Sequence, residues 1–302
     1  MAEKDRVSKT LESHNDVFAD IVNVLLFDGQ QIIRPEELSP AENDSQYKAD
    51  GQIHSQERDV SKYWHNTNIK IYFGIENQSA ADEMMPVRII SYDGASYRHQ
   101  YKQRKSTDRS KLAPVITLVL YFGRSDWPYG KNLHSCLSIP PELMPYVNDY
   151  KMNFFSIKDM TPQQITKFCS DFRAVAELLH AYTNRERYVP TPQLLEYPDE
   201  TIDMISVFTQ GNDFRRQYNN IMQTESSKGG ITMCDIYDSI LREGIEEGKE
   251  RGRAEGRGEG RLMTLVEFVK EGLITLADAA RRVGMTEDAF IQKTGLDKQT
   301  TT

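Results

Sequence analysis

Between residues 14 and 28 the apolar side chains Val17, Phe18, Ile21, Val24 and Leu25 recur at the spacing of one helix face. Asn15 or Asp16 can cap that helix, and Gly29 ends it. The period then changes. Ile69, Ile71, Phe73 and Ile75 alternate with other residues, which is the two-residue repeat of a strand. Residues 53–64 read as a preceding strand or hairpin arm, with 66–68 as the turn between the two. Pro86 suits the first turn of a helix that runs to about residue 105. Residues 115–122 are almost wholly apolar and rich in β-branched side chains, as in a central strand covered on both faces. Helix, strands, helix, strand in that order predicts an α/β layered domain.

The second half of the chain is more helical. Residues 161–182 read as one helix with Ile165, Phe168, Phe172, Val175, Leu178 and Leu179 inward, opened by a capping box of Thr161 and Gln164. Residues 202–218 read as another helix, and 226–230 as a linker. Glycines then stand at every fourth position, 244, 248, 252, 256 and 260, among Glu, Arg and Lys. Each costs a helix roughly 1 kcal/mol relative to Ala. The stretch is therefore either a helix approached closely by another or a charged linker. Residues 262–270 and 276–283 are amphipathic helices, and Gly284 turns the chain into a third, short one. The expected divisions are a polar, disordered N-terminus (1–12), a main domain (13–225), the glycine-spaced segment (226–261) and a small helical C-terminal segment (262–302).

With 38% hydrophobic residues in 302, the chain can bury a core. The longest apolar runs, 21–27 and 115–122, are far shorter than a membrane span, so no membrane partner is expected. Cys136, Cys169 and Cys234 match no metal or redox spacing, which fits a reducing, cytoplasmic setting. A net charge of −8 argues against coating nucleic acid by bulk charge. It does leave room for a local basic face. Arg98, His99, Lys102, Arg104, Lys105, Arg109 and Lys111 crowd together, with Tyr92, Tyr97 and Tyr101 interleaved. Such a cluster can hold phosphates or can be a solvated helix face.

One constellation carries chemistry. Glu76 and Gln78, two apart on a strand, point to the same side. If the preceding strand pairs with theirs, Asp59 reaches the same point. Converging carboxylates form a hard, oxygen-rich site suited to Mg²⁺, with the backbone carbonyl of Asn77 as a further ligand. By spacing alone the alternative is a solvated strand end. Against it stands the cost of burying an unpaired carboxylate at the exit of a central strand.

Three runs together resemble the recombination-promoting nuclease / putative transposase family. They are Ile75-Glu76-Asn77-Gln78-Ser79, Met85-Pro86-Val87-Arg88-Ile89-Ile90-Ser91-Tyr92, and the strand from Pro114 to Gly123. The pair Arg58-Asp59, the opening run from Asp16 to Asn23 and the Glu/Gly/Arg-rich tail are similar too. The resemblance covers most of residues 14–292. It implies membership of the PD-(D/E)XK nuclease superfamily, a restriction-endonuclease-like α/β/α core, and cleavage of DNA with Mg²⁺ or Mn²⁺. It places the catalytic residues at Asp59, Glu76 and Gln78 and the metal-binding acids at Asp59 and Glu76. Gln78 stands where the superfamily has lysine, so a charge near the transition state is missing at that position. An acid on the first helix is a further metal ligand in some members; Asp20 is the candidate, with Asp16 behind it. Arg88, Arg98, Lys102, Arg104 and Lys105 are the expected DNA contacts.

The segment 274–290 resembles a short helix-turn-helix, but its second helix carries Glu287 and Asp288. A helical hairpin for docking or oligomer contact fits that charge better. A homo-oligomer held through the C-terminal helices is expected. The competing functional reading is a catalytically weak or inactive member acting as a DNA-binding or interaction module.

Overall fold

The computed structural model describes residues 2–41, 44–49, 52–66, 69–105, 110–223 and 229–296. The chain divides into two compact units, Met1–Tyr237 and Asp238–Thr302.

The first unit is an α/β fold. It opens with α1 (Ala2–Glu12) and α2 (Asn15–Phe27). The short β1 (Leu38–Pro40) follows, then β2 (Asp44–Ala49), β3 (Gln52–Glu57), β4 (Val60–Asn66) and β5 (Ile69–Gln78). After α3 (Met85–Gln103) come β6 (Val115–Tyr121) and β7 (Asn153–Ser156). The helices α4 (Pro162–Ile165), α5 (Phe172–Asn184), α6 (Pro198–Thr209) and α7 (Asp213–Met222) complete the unit. Five strands form one mixed sheet in the order β1-β4-β5-β6-β7, while β2 and β3 pair separately. β4 and β5 are antiparallel, and β5, β6 and β7 are parallel. The long α3 is the crossover that a parallel β5–β6 pair requires.

Helices cover the sheet on both faces, and the pleat tells which. Glu76 lies opposite Val119 in register, and Val119 opposite Phe154. Val119 and Phe154 pack with Met85 and Ile89 of α3. Even-numbered residues of β5 therefore face α3. The other face meets the first two helices: Lys62 donates to the carbonyl of Ser13 at 2.6 Å and lies over the Phe18 ring. The centre of the core is β6, whose Leu118, Val119 and Leu120 are fully buried.

Four expectations are corrected. Residues 2–12 are helical, not frayed: Val7 and Leu11 are buried, and α1 packs against α6. Residues 161–182 are two helices. The capping box of Thr161 and Gln164 forms, but the chain then turns at 169–171, where Asp20 accepts from the amides of Cys169 and Ser170 while Asp171 reaches out to those of Glu196 and Tyr197. Residues 202–218 are likewise split, at the left-handed Gln210. The first helix is capped by neither Asn15 nor Asp16, because Asn15 donates to the carbonyls of Pro35 and Leu38 and Asp16 accepts from the Tyr197 hydroxyl. The turn at 67–68 and part of the linker, 226–228, lie outside the described residues.

The glycine-spaced stretch is helical. It belongs to α8 (Met233–Lys270), which is followed by α9 (Leu276–Arg282) and α10 (Glu287–Thr294). In the second unit Leu262, Leu265 and Val269 of α8 pack with Ala279, Ala280 and Phe290. Thr275 and Thr286 cap α9 and α10, and Gly284 takes φ +68 in the turn between them. α10 opens with Glu287 and Asp288, which suits packing better than reading a phosphate-lined groove. Among the described residues no helix is long and apolar enough to cross a membrane.

Candidate active site

The site lies where β5 outruns β4. The last pair of that ladder is Val60 with Ile75, so Asp59 stands just before β4 and Glu76, Asn77 and Gln78 just beyond the pairing. With no β4 residue opposite, the amide of Asn77 donates to Asp59 Oδ2 at 2.6 Å. This bond fixes the aspartate at the end of β5.

Glu76 is only 3% exposed. Its Oε1 accepts from the Arg88 guanidinium of α3 at 2.6 Å and from Gln78 Nε2 at 3.2 Å. Its Oε2 is buried without a hydrogen-bond partner. Burial, reinforced by Asp59, raises the Glu76 carboxyl to about 8 despite Arg88. The half-exposed arginine offsets only part of the desolvation cost. Burial also works against the charge on Arg88, but the Tyr92 hydroxyl and Glu76 hold it above its ordinary range.

A third carboxyl comes from the opposite face. Asn77 points away from Glu76, toward α1, and its Nδ2 donates to Glu12 Oε2 at 2.7 Å. Glu12 is fully buried, and its Oε1 has no hydrogen-bond partner. Its carboxyl is pushed well up by burial, with Asp59 adding to the effect. From the same helix Lys9 reaches Asp59 Oδ1 at 3.4 Å. The corner thus gathers Glu12, Asp59 and Glu76 around Asn77, with Lys9 and Arg88 as counter-charges. Among the described residues no three His, Cys, Asp or Glu side chains are grouped closely enough to hold a metal ion as they stand. Two buried carboxylate oxygens and the buried Asn77 Oδ1 nevertheless lack a donor. Hard oxygen ligands left in that state match the needs of a divalent cation such as Mg²⁺.

Arg58, next to Asp59, is buried in its own network. It donates to Asp93 at 2.6 Å, to Ser96 at 2.8 Å, and to Thr117 and Tyr72 at 3.2 Å. Its guanidinium carbon lies 5.0 Å from the Tyr72 ring centre and 5.5 Å from that of Tyr92. Asp93 is in turn held by the hydroxyls of Thr117 and Tyr150. Gly74 makes room for this side chain: a Cβ there would stand 2.5 Å from Arg58 Cδ. Arg58 thereby anchors the backbone that presents Asp59.

Asp59, Glu76 and Gln78 are thus brought together as the sequence suggests. Asp20 is not. Its Oδ2 accepts from the amides of Cys169 and Ser170 and from the Ser170 hydroxyl, so it clasps the turn before α5. The helix acid at the corner is Glu12, which sequence reasoning missed because it falls in a segment expected to be frayed. The one available signal was the apolar pair Val7 and Leu11 at helical spacing. Of the expected DNA contacts only Arg88 is at the corner. Arg98, Lys102, Arg104 and Lys105 are exposed and lie toward or beyond the other end of α3. From Arg88 to Lys102 the axis advances about 20 Å at ~1.5 Å per residue. Arg109 lies outside the described residues.

Residues 60–203 match the family described as putative transposase, YhgA-like. Over this segment the chain is similar to that family. The matched segment contains Glu76, Gln78, Arg88 and Asp93, while Asp59 directly precedes it and Glu12 lies further upstream. The family description points to a transposition-related role. The chain matches none of the curated proteins and none of the solved structures.

Proposed function

We propose that the chain is a Mg²⁺- or Mn²⁺-dependent DNA endonuclease of PD-(D/E)XK type, with a restriction-endonuclease-like core, serving transposition or recombination. The observation that carries this reading is the buried Glu76 Oε2, left without a donor beside Asp59 at the open end of β5. Glu76 and Asp59 would hold the metal, with the Asn77 carbonyl as a further ligand. When bound, the cation lowers the pKa of a water and stabilises charge on the scissile phosphate.

The chain's own residues do the rest. Gln78, tied to Glu76 Oε1, offers an amide that can orient the attacking water. It brings no charge, but Arg88 does so on the same carboxylate oxygen. A fixed guanidinium beside the phosphate favours the more negative transition state over the ground state. Asn77 holds Asp59 through its amide and Glu12 through its side chain, so one residue sets the spacing of two acids. Association of copies through the C-terminal helices belongs to the same proposal. It is motivated by the glycine row of α8, whose added Cβ atoms would meet nothing within 4 Å.

Purified protein is incubated with supercoiled plasmid and Mg²⁺, Mn²⁺ or EDTA. Nicking is expected only with a divalent cation, and Asp59→Asn and Glu76→Gln each lower its rate on the order of 100-fold or more. Wild-type nicking no faster than that of both variants sinks the nuclease reading and leaves the inactive interaction module. Arg88→Met tests the replacement of the missing lysine: cleavage drops by about 10²–10³ while the fold persists.

A further inference from the structure

At the other end of β5, on the same face as Glu76, lies a cleft of about 730 Å³. One wall is the C-terminal turn of α3 with Gln103 and Arg104, and the other is the segment 110–114 with Lys111. Its floor is Lys70 and Tyr63, the ammonium of Lys70 sitting 3.7 Å from the Tyr63 ring centre. The walls are fixed. Gln100 clamps the backbone of Ala113 with two hydrogen bonds, at 2.8 and 3.1 Å, and the Tyr97 hydroxyl accepts from the amide of Val115 at 3.0 Å. Three cationic side chains line the cleft, and none of its described lining residues is acidic. In a chain of net charge −8, a held-open cleft whose described lining carries cations and no acid is not explained by solubility.

We propose that this cleft binds the sugar–phosphate backbone of DNA as a second contact, apart from the Glu76 corner. Spacing supports the assignment, and this part of it rests on the nuclease reading of that corner. Lys70 and Glu76 are six residues apart on one strand, about 20 Å at ~3.3 Å per residue. Phosphates follow each other at about 3.4 Å along the axis of one strand. The cleft therefore holds the backbone roughly six nucleotides from the bond presented to Glu76. Lys and Arg contacts of this kind set the position of the nucleic acid without choosing its sequence.

The test measures binding without turnover. A fluorescent duplex of about 20 base pairs is titrated with the full chain in EDTA over a series of salt concentrations. Lys70→Gln combined with Lys111→Gln is expected to weaken binding about tenfold at moderate salt. The same change lowers the slope of log Kd against log salt by about two, one for each lost phosphate contact. Both lysines are exposed, so an unchanged circular dichroism spectrum is expected of the variant. The proposal is overturned if the slope stays at the wild-type value, or if it falls as far when Lys270 and Lys293 are changed to Gln instead. A protein that binds in this way yet never nicks plasmid would end the nuclease reading and leave the cleft assignment standing.

Discussion

Glu76 ionises with difficulty because its charge would sit in a dry corner beside a second carboxylate. In the unfolded chain a glutamate loses its proton near its ordinary value of 4.5, whereas in the folded chain this one keeps it to about 8. Its contribution to stability is therefore complete below pH 4.5 and shrinks as the pH rises toward 8. The slope between those limits is about 1.4 kcal/mol per pH unit. In EDTA, Tm should fall across that window, and Glu76→Gln should flatten the fall; a parallel curve would show that other groups dominate. Mg²⁺ should raise Tm more at pH 8 than at pH 6, because a ligand carboxylate must be ionised. Arg58 belongs to the same scale. Arg58→Met leaves Asp93 buried without its cation and should cost about 3–5 kcal/mol in urea unfolding. Gly74→Ala should act through the same contact, since its Cβ meets the Arg58 stem. Of this site, the sequence makes Glu76 and Gln78 legible through strand alternation, and Asp59 through family resemblance. Glu12 and Arg58 were hidden because their roles depend on Asn77 and Asp93, partners that only the folded chain brings near.

Elements were legible where a local pattern decides them. β5 and β6 follow from alternation and from a β-branched run, and α3 from its proline at the first turn. The breaks before α5 and α7 were not. At the first, Asp20 supplies the acceptor, from a distant part of the chain, to a turn that the apolar pattern runs straight through. α1 was hidden by its polar surface, since only Val7 and Leu11 mark the buried side. The glycine row of α8 left two readings open; the stretch is helical, but nothing among the described residues approaches its glycines within 4 Å of an added Cβ. Replacing Gly248, Gly252 and Gly256 with Ala should add helix content, by up to about 1 kcal/mol at each site in an isolated chain. In a particle built from several copies the same change should lower the mass seen by light scattering, because added methyl groups keep helices apart. An unchanged mass would dissociate the glycines from assembly.

At the level of the whole molecule, the corner joins parts far apart along the chain. Glu12 and Lys9 arrive on α1, Asp59 and Glu76 on neighbouring strands, and Arg88 on the crossover helix. Leu11→Ala should therefore cost about 2–5 kcal/mol by leaving a cavity. It should also weaken the Mg²⁺-induced rise in Tm, since Leu11 is fully buried next to Glu12. A purely global loss of stability would leave that rise intact. The contact between α1 and α6 also has a temporal side. A ribosome adds about 5–20 residues each second. The helix carrying Glu12 is thus made some 10–40 s before the helix it rests on. Until then the nascent chain has its acids but no fixed α1, and the corner stays incomplete for most of its own translation. If the corner cuts DNA as proposed, that activity is silent until synthesis of the first unit is nearly done.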